Sequence, residues 1–146
     1  MRNFVLALSL MTLVTGASLT PADAMPRAGV ELYDRPNAAE IVQIGHRNRA
    51  ERLHRRAARQ QARQVLRGRA NRFASEQHGY ANAAAGSRHG SGNDGVIEQF
   101  GNGNLATTQQ DGNLNSAFTS QTGNGQSATV TQSGTGNVTI IFQYSR

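Results

Sequence analysis

Polar, small and β-branched positions return at a fixed spacing through the second half of the chain. Five glutamines follow one another at intervals of eleven residues, namely Gln99, Gln110, Gln121, Gln132 and Gln143. Glycine stands two positions after each of the first four, asparagine or glutamine five after, and alanine or threonine seven after. The unit is therefore Q-x-G-x-x-N-x-A-x-x-x. Several columns are restricted together, which is typical of a structural repeat.

The same register extends back to Gln77, and fainter copies lie upstream. Arg88 occupies a glutamine position, and Gly95 stands in the alanine column that belongs to it. Gln43 and Leu66 each precede a glycine and an asparagine in the expected columns, but they are 23 residues apart, one more than two units. We therefore divide the chain into degenerate repeats over residues 37–76 and regular repeats over residues 77–146.

The restricted positions predict strands rather than helices, because they fall two residues apart and so share one face. The position between alanine and glutamine holds β-branched side chains, which suit a pleated sheet. These are Ile97, Thr108, Thr119, Val130 and Ile141. Strands of about seven residues separated by x-G-x-G turns give coils of about 22 residues, which stack about 4.8 Å apart. The predicted fold is all-β: a β-solenoid with two facing parallel sheets.

Glycine permits the backbone angles of a tight turn without a Cβ clash. The predicted turn glycines are Gly79, Gly90, Gly101, Gly112, Gly123 and Gly134.

Inward amides are satisfied when they stack, because each offers an acceptor and two donors to the rungs above and below. The predicted assembly ladder consists of Gln77, Asn82, Asn93, Gln99, Asn104, Gln110, Asn115, Gln121, Gln126, Gln132, Asn137 and Gln143. We expect these inward columns, rather than the outward residues Phe118, Ile140 and Phe142, to control assembly. A bare solenoid edge recruits further strands, so we also expect the C-terminal edge to be available for polymerisation.

Composition changes the picture in two ways. Only 5% of residues are aromatic, tryptophan and cysteine are absent, and 16 residues are glycine, which excludes a core of large side chains and a disulfide framework. The opening MRNFVLALSLMTLVTGASLTPADA has a cationic start, an apolar run and an A-x-A site, which predicts a signal peptide over residues 1–24 and export. A membrane anchor is disfavoured, because the apolar run is shorter than the roughly 20 residues of a spanning helix. Residues 25–36 form a flexible segment in this interpretation.

Positive charge is concentrated in the degenerate repeats. Residues 25–72 contain twelve arginines against four acidic residues, a net +8, whereas residues 73–146 carry a net −2. The arginine-rich segment is compatible with degenerate solenoid coils, a basic amphipathic helix or disorder, and residue propensity alone leaves these open. A nucleic acid or another anionic surface is a candidate partner. The candidate polyanion contacts are Arg52, Arg55, Arg56, Arg59 and Arg63.

The residues carry no pattern of an enzyme or a metal site. His78 and His89 each follow a glutamine position and should point outward on opposite sheets, and His46 and His54 lie in the degenerate part. None has the spacing of metal ligands with cysteine or carboxylates, and no histidine and acid pair is placed to activate a serine or threonine. The sequence therefore predicts no catalytic residue, no metal and no cofactor.

The units QFGNGNLA, from Gln99, and QTGNGQSA, from Gln121, resemble the curlin repeat. Curlins are subunits of curli, the extracellular functional amyloid fibres of bacteria. The resemblance implies secretion through the periplasm with chaperones, an outer-membrane pore, assembly with itself and other curlin subunits, and a role in adhesion and biofilm matrix. It leaves open whether the chain is a major subunit or a nucleator. The alternative function is a secreted basic protein that binds polyanions or surfaces and uses the solenoid as a scaffold.

Overall fold

The computed structural model describes the backbone of residues 11–14, 27–32 and 38–145, and the side chains of residues 38–53 and 59–145. The described residues form β1 (Met11–Val14), β2 (Arg27–Leu32), β3 (Ala38–His46), β4 (Arg49–Ala58), β5 (Gln61–Arg69), β6 (Arg72–Tyr80), β7 (Ala83–Ser91), β8 (Asp94–Asn102), β9 (Leu105–Asn113), β10 (Ser116–Asn124), β11 (Ser127–Thr135) and β12 (Val138–Tyr144). The described part of the chain contains no helix.

The strands build two parallel sheets that alternate along the chain. The odd-numbered strands form sheet 1, in the order β1-β3-β5-β7-β9-β11, and the even-numbered strands form sheet 2, in the order β12-β10-β8-β6-β4-β2. Each strand pairs with the strands two before and two after it, so two strands and two turns make one coil of 22 residues in the regular part. This confirms the predicted β-solenoid.

Burial alternates along each strand, as the two-residue period predicts. In β9, Ala106, Thr108 and Gln110 are buried between the sheets, and the residues between them face outward. Alanine keeps the sheets close together, so the core needs few large side chains. The strands are nine residues long rather than about seven, because each predicted turn glycine lies near the end of a strand and only two residues separate consecutive strands.

That glycine is required by a close approach between coils. Gly101 has φ +120°, and a Cβ at this position would overlap the carbonyl oxygen of Gly123 in the next coil. The six predicted turn glycines all have positive φ, between 107° and 126°. Their prediction as conformationally special positions is sound, although they end strands rather than form the turn itself.

The arginine-rich segment is part of the solenoid and not a helix. Residues 49–58 form β4 and residues 61–69 form β5, each paired on both sides. The pairing of β4 with β6 shifts between Arg55 and Ala57, where a β-bulge absorbs one extra residue. This bulge accounts for the spacing of 23 residues between Gln43 and Leu66, which pair directly in sheet 1.

The predicted signal peptide and flexible segment lie outside the described residues, apart from β1 and β2, and stay predictions. β1 pairs with β3 and β2 pairs with β4 at the N-terminal side of the two sheets. Within the described residues, no helix has the length and apolar character needed to cross a bilayer.

Candidate assembly site

Four glutamines form a continuous ladder inside sheet 2. Nε2 of Gln77 donates to Oε1 of Gln99 (2.7 Å), Gln99 donates to Gln121 (2.9 Å), and Gln121 donates to Gln143 (2.7 Å). The first three of these side chains are fully buried. Every bond runs from one coil to the next in the same direction, so the ladder lies along the solenoid axis.

Each ladder glutamine uses its second N–H to hold the other sheet. Nε2 of Gln99 also donates to the carbonyl oxygen of Ala83 (3.0 Å), and Nε2 of Gln121 donates to that of Leu105 (3.0 Å). Both acceptors begin strands of sheet 1. A single amide therefore joins consecutive coils and also fixes the distance between the sheets.

The glutamine ladder of sheet 1 is shorter. Gln110 donates to Gln132 (2.8 Å), and its second N–H bonds to the carbonyl oxygen of Asp94 (2.8 Å). The next rung toward the N-terminus is Arg88, which is fully buried and makes no hydrogen bond to Gln110. The ladder of sheet 1 therefore begins at Gln110.

Asparagine forms its ladder through the backbone rather than from amide to amide, which corrects the predicted arrangement. Oδ1 of Asn82 accepts from the backbone N–H of Asn104 (2.9 Å), and Nδ2 of Asn82 donates to the carbonyl oxygen of Gly101 (2.9 Å). Asn93 and Asn115 repeat both bonds on the opposite side of the solenoid. Asparagine thus closes the turns and bonds the same glycine column that brings the coils together.

The ladders contain members outside the regular repeats. Asn48 and Asn71 bond to one another and to neighbouring backbone as their regular counterparts do. Gln60 takes an asparagine position and donates to the carbonyl oxygen of Gly79 (2.9 Å), and buried Gln64 donates to the hydroxyl of Ser75 (3.1 Å). The column positions of Asn48 and Asn71 were visible in the sequence, whereas Gln60 and Gln64 were hidden by the one-residue shift.

The predicted polyanion contacts do not form one surface. Arg52 is buried between the sheets and donates to the carbonyl oxygen of Glu40 (3.2 Å), and burial lowers its pKa to about 10. The prediction of a surface contact is therefore wrong for Arg52, which occupies an inward column. Arg59 and Arg63 are exposed, and Arg63 pairs with Glu40 at 3.1 Å. The side chains of Arg55 and Arg56 lie outside the described ones.

The outward face of sheet 2 is apolar near its C-terminal edge. Ile140, Phe142 and Tyr144 are 60%, 58% and 72% exposed, and the rings of Phe118 and Phe142 are in contact with centroids 5.6 Å apart. In the described chain, β12 pairs with β10 alone. The Gln143 rung therefore lies on an edge strand.

The histidines lie where the repeat places them. His78 is on β6 of sheet 2 and stacks on Phe100, with centroids 4.9 Å apart, and exposed His89 is on β7 of sheet 1. Among the described residues, no three histidine or acidic side chains come together in a way that could hold a metal ion.

Comparison with known proteins identifies the repeat. The family model of the curlin associated repeat matches residues 101–134, which span the end of β8 through most of β11. No curated protein matches the chain. The matched residues contain the asparagine, glutamine and glycine columns that form the ladders, and these columns continue in register into the flanking coils. The chain is therefore a member of the curlin repeat family, whose members are fibre subunits rather than enzymes.

Proposed function

We propose that this protein is a secreted structural subunit of an extracellular, curli-like amyloid fibre that supports cell adhesion and biofilm matrix. The observation that carries the proposal is the continuous ladder from Gln77 to Gln143, which extends to the edge strand of sheet 2. Curlin family membership supports self-assembly into fibres. A second copy would continue both sheets and the ladder with the same bonds that join coils within one chain.

The energetics of the edge favour such addition. Each further strand would satisfy a row of backbone N–H and C=O groups that an edge strand leaves to water. The amide of Gln143 would gain a neighbouring rung, as each buried glutamine of the ladder has within the chain. The outward apolar residues of β12 lie beside this edge but not in it, so we assign elongation to the inward columns.

The proposal is tested by the assembly of residues 25–146 after dilution from denaturant, followed by thioflavin fluorescence and by electron microscopy. We expect fibres with a cross-β spacing of about 4.8 Å along the fibre axis. Preformed seeds should shorten the lag. A chain that stays soluble and monomeric under these conditions, with or without seeds, contradicts the proposal. A lag that is absent from the unseeded reaction would indicate a nucleator, and a lag that seeds remove would indicate a major subunit.

A second candidate function is polyanion binding, which the exposed arginines of the first coils favour. Arg63, Arg67 and Arg69 are exposed on one strand, β5, and Arg47 and Arg59 are exposed at turns. Phosphate contacts of this kind weaken steeply with salt. Binding to single-stranded DNA that does not fall between about 50 and 200 mM salt would exclude this function. A steep fall, in a chain that does not polymerise, would favour it over the fibre.

A further inference from the structure

Arg88 is a cation enclosed in the middle of the solenoid. Its side chain points between the sheets from β7, in the glutamine column, between Leu66 and Gln110. The residue is fully buried, and none of its three guanidinium nitrogens has a hydrogen-bond partner among the described residues. Burial lowers the pKa of Arg88 to about 9, against an opposing effect of Asp94, so the group is protonated at neutral pH.

The structure makes room for this side chain with two glycines. A Cβ at Gly95, on the facing strand β8, would overlap Nη2 of Arg88. A Cβ at Gly86, two residues before Arg88, would lie 2.6 Å from Nη1 and would overlap the ring of Phe73. The neighbours of Gly95 in its column are Phe73 and Ala117, so the glycine is a local departure from the repeat.

Phe73 completes the arrangement as the aromatic partner of the cation. The guanidinium carbon lies 3.9 Å from the centroid of the phenyl ring, and the ring is fully buried. A cation above an aromatic face is attracted to it, more strongly when water is excluded. The attraction replaces only part of the hydration that the guanidinium loses, because its N–H groups stay without acceptors.

We propose that Arg88, with Phe73, Gly86 and Gly95, is a built-in brake that makes closure of the middle coil the slow step of solenoid formation and so delays spontaneous assembly. The inference rests on the self-assembly proposed above. The brake acts when β7 and β8 face one another, because the charge must then leave water without gaining a hydrogen bond. The ladder from Gln77 to Gln143 lies in the same coils and is uninterrupted, so the closed solenoid keeps its edges.

The test compares the wild-type chain with Arg88→Gln, Gly95→Ala and the double variant, which restores the regular residues of the repeat. We expect the double variant to shorten the thioflavin lag at least about tenfold, the effect of about 1.4 kcal/mol on a barrier. Gly95→Ala alone should lengthen the lag, because its methyl group occupies the place of Nη2. The same alanine should be harmless or favourable once Arg88 is glutamine.

The matched control is Gln110→Arg, which places the same cation one rung further along. Thr108 and Ala117 stand there in place of the two glycines, so we expect this variant not to assemble. A lag of the double variant within about twofold of the wild type overturns the proposal. So does an effect of Gly95→Ala that is the same with arginine and with glutamine at position 88, or wild-type assembly by Gln110→Arg.

Guanidinium unfolding separates this inference from the proposed function. If no variant forms fibres and the wild type does not either, self-assembly fails, and the brake is judged on the soluble chain. The unfolding midpoint should then rise in the double variant and fall in Gly95→Ala. Equal midpoints in all the chains would overturn the brake independently of any fibre.

Discussion

The substitution Gln121→Ala tests whether the glutamine ladder stabilises the solenoid. Gln121 is fully buried, accepts from Gln99 (2.9 Å), and donates to Gln143 (2.7 Å) and to the carbonyl oxygen of Leu105 (3.0 Å). Alanine removes all three bonds at once. Gln99 keeps its bond to the backbone of sheet 1 but loses its ladder acceptor.

The expected loss in the free energy of unfolding follows from these groups. A buried N–H without an acceptor, here on Gln99, costs about 1–3 kcal/mol, and the other two lost bonds contribute about 1 kcal/mol each. The vacated volume adds a packing loss of about 1 kcal/mol. We therefore expect a loss of about 3–5 kcal/mol, measured by guanidinium unfolding.

Two further variants identify the cause of that loss. Gln121→Leu keeps most of the side-chain volume but still leaves Gln99 without its acceptor, so it should recover only the packing part. Thr122→Ala, at the exposed outward neighbour, should change stability by less than about 0.5 kcal/mol. If Gln121→Leu is as stable as the wild type, packing rather than hydrogen bonding stabilises the column, and the reasoning is refuted.

Three other changes test separate features by the same unfolding measurement. Leu114→Gly should raise stability by about 0.5–1 kcal/mol, because Leu114 has φ 56° where the neighbouring coils carry glycine; an unchanged or lower value would argue against strain there. Ala106→Leu should cost about 2 kcal/mol by forcing the sheets apart, and a neutral result would mean that their spacing is not limited by this column. Deleting Arg56 should remove the bulge and leave the chain folded, whereas deleting Thr107 should reverse the faces of β9 and unfold it. Equal tolerance of both deletions would contradict the assigned register.

The sequence was sufficient to predict the coil, the two sheets and the glutamine ladder, because a period of two within a period of eleven leaves one arrangement of inward columns. It also located the irregular coil, since Gln43 and Leu66 are one residue out of step. Propensity could not decide that this segment is strand, because arginine, alanine and glutamine favour helix when isolated. Pairing with β6 on one side and β3 on the other overrides that preference.

The sequence could not show how each amide bonds. Asparagine is one methylene shorter than glutamine, so at a turn it reaches the neighbouring backbone rather than the next side chain. The burial of Arg52 and Arg88 was hidden because charge normally indicates an exposed face. For Arg88 a signal existed in Gly95, a departure on the facing strand, but only the packing of β7 against β8 shows that the two departures accommodate one another.

All the ladder bonds and the pairing bonds of both sheets run along one axis, and this orientation has a mechanical consequence for a fibre of the kind proposed. A pull along that axis loads every strand pair in a cross-section at the same time. Within one molecule the covalent turns back up these bonds, whereas a junction between two molecules has the bonds alone. Such a fibre should therefore break between subunits, and each break would leave two intact growing ends, so that shear in the surroundings multiplies the fibres.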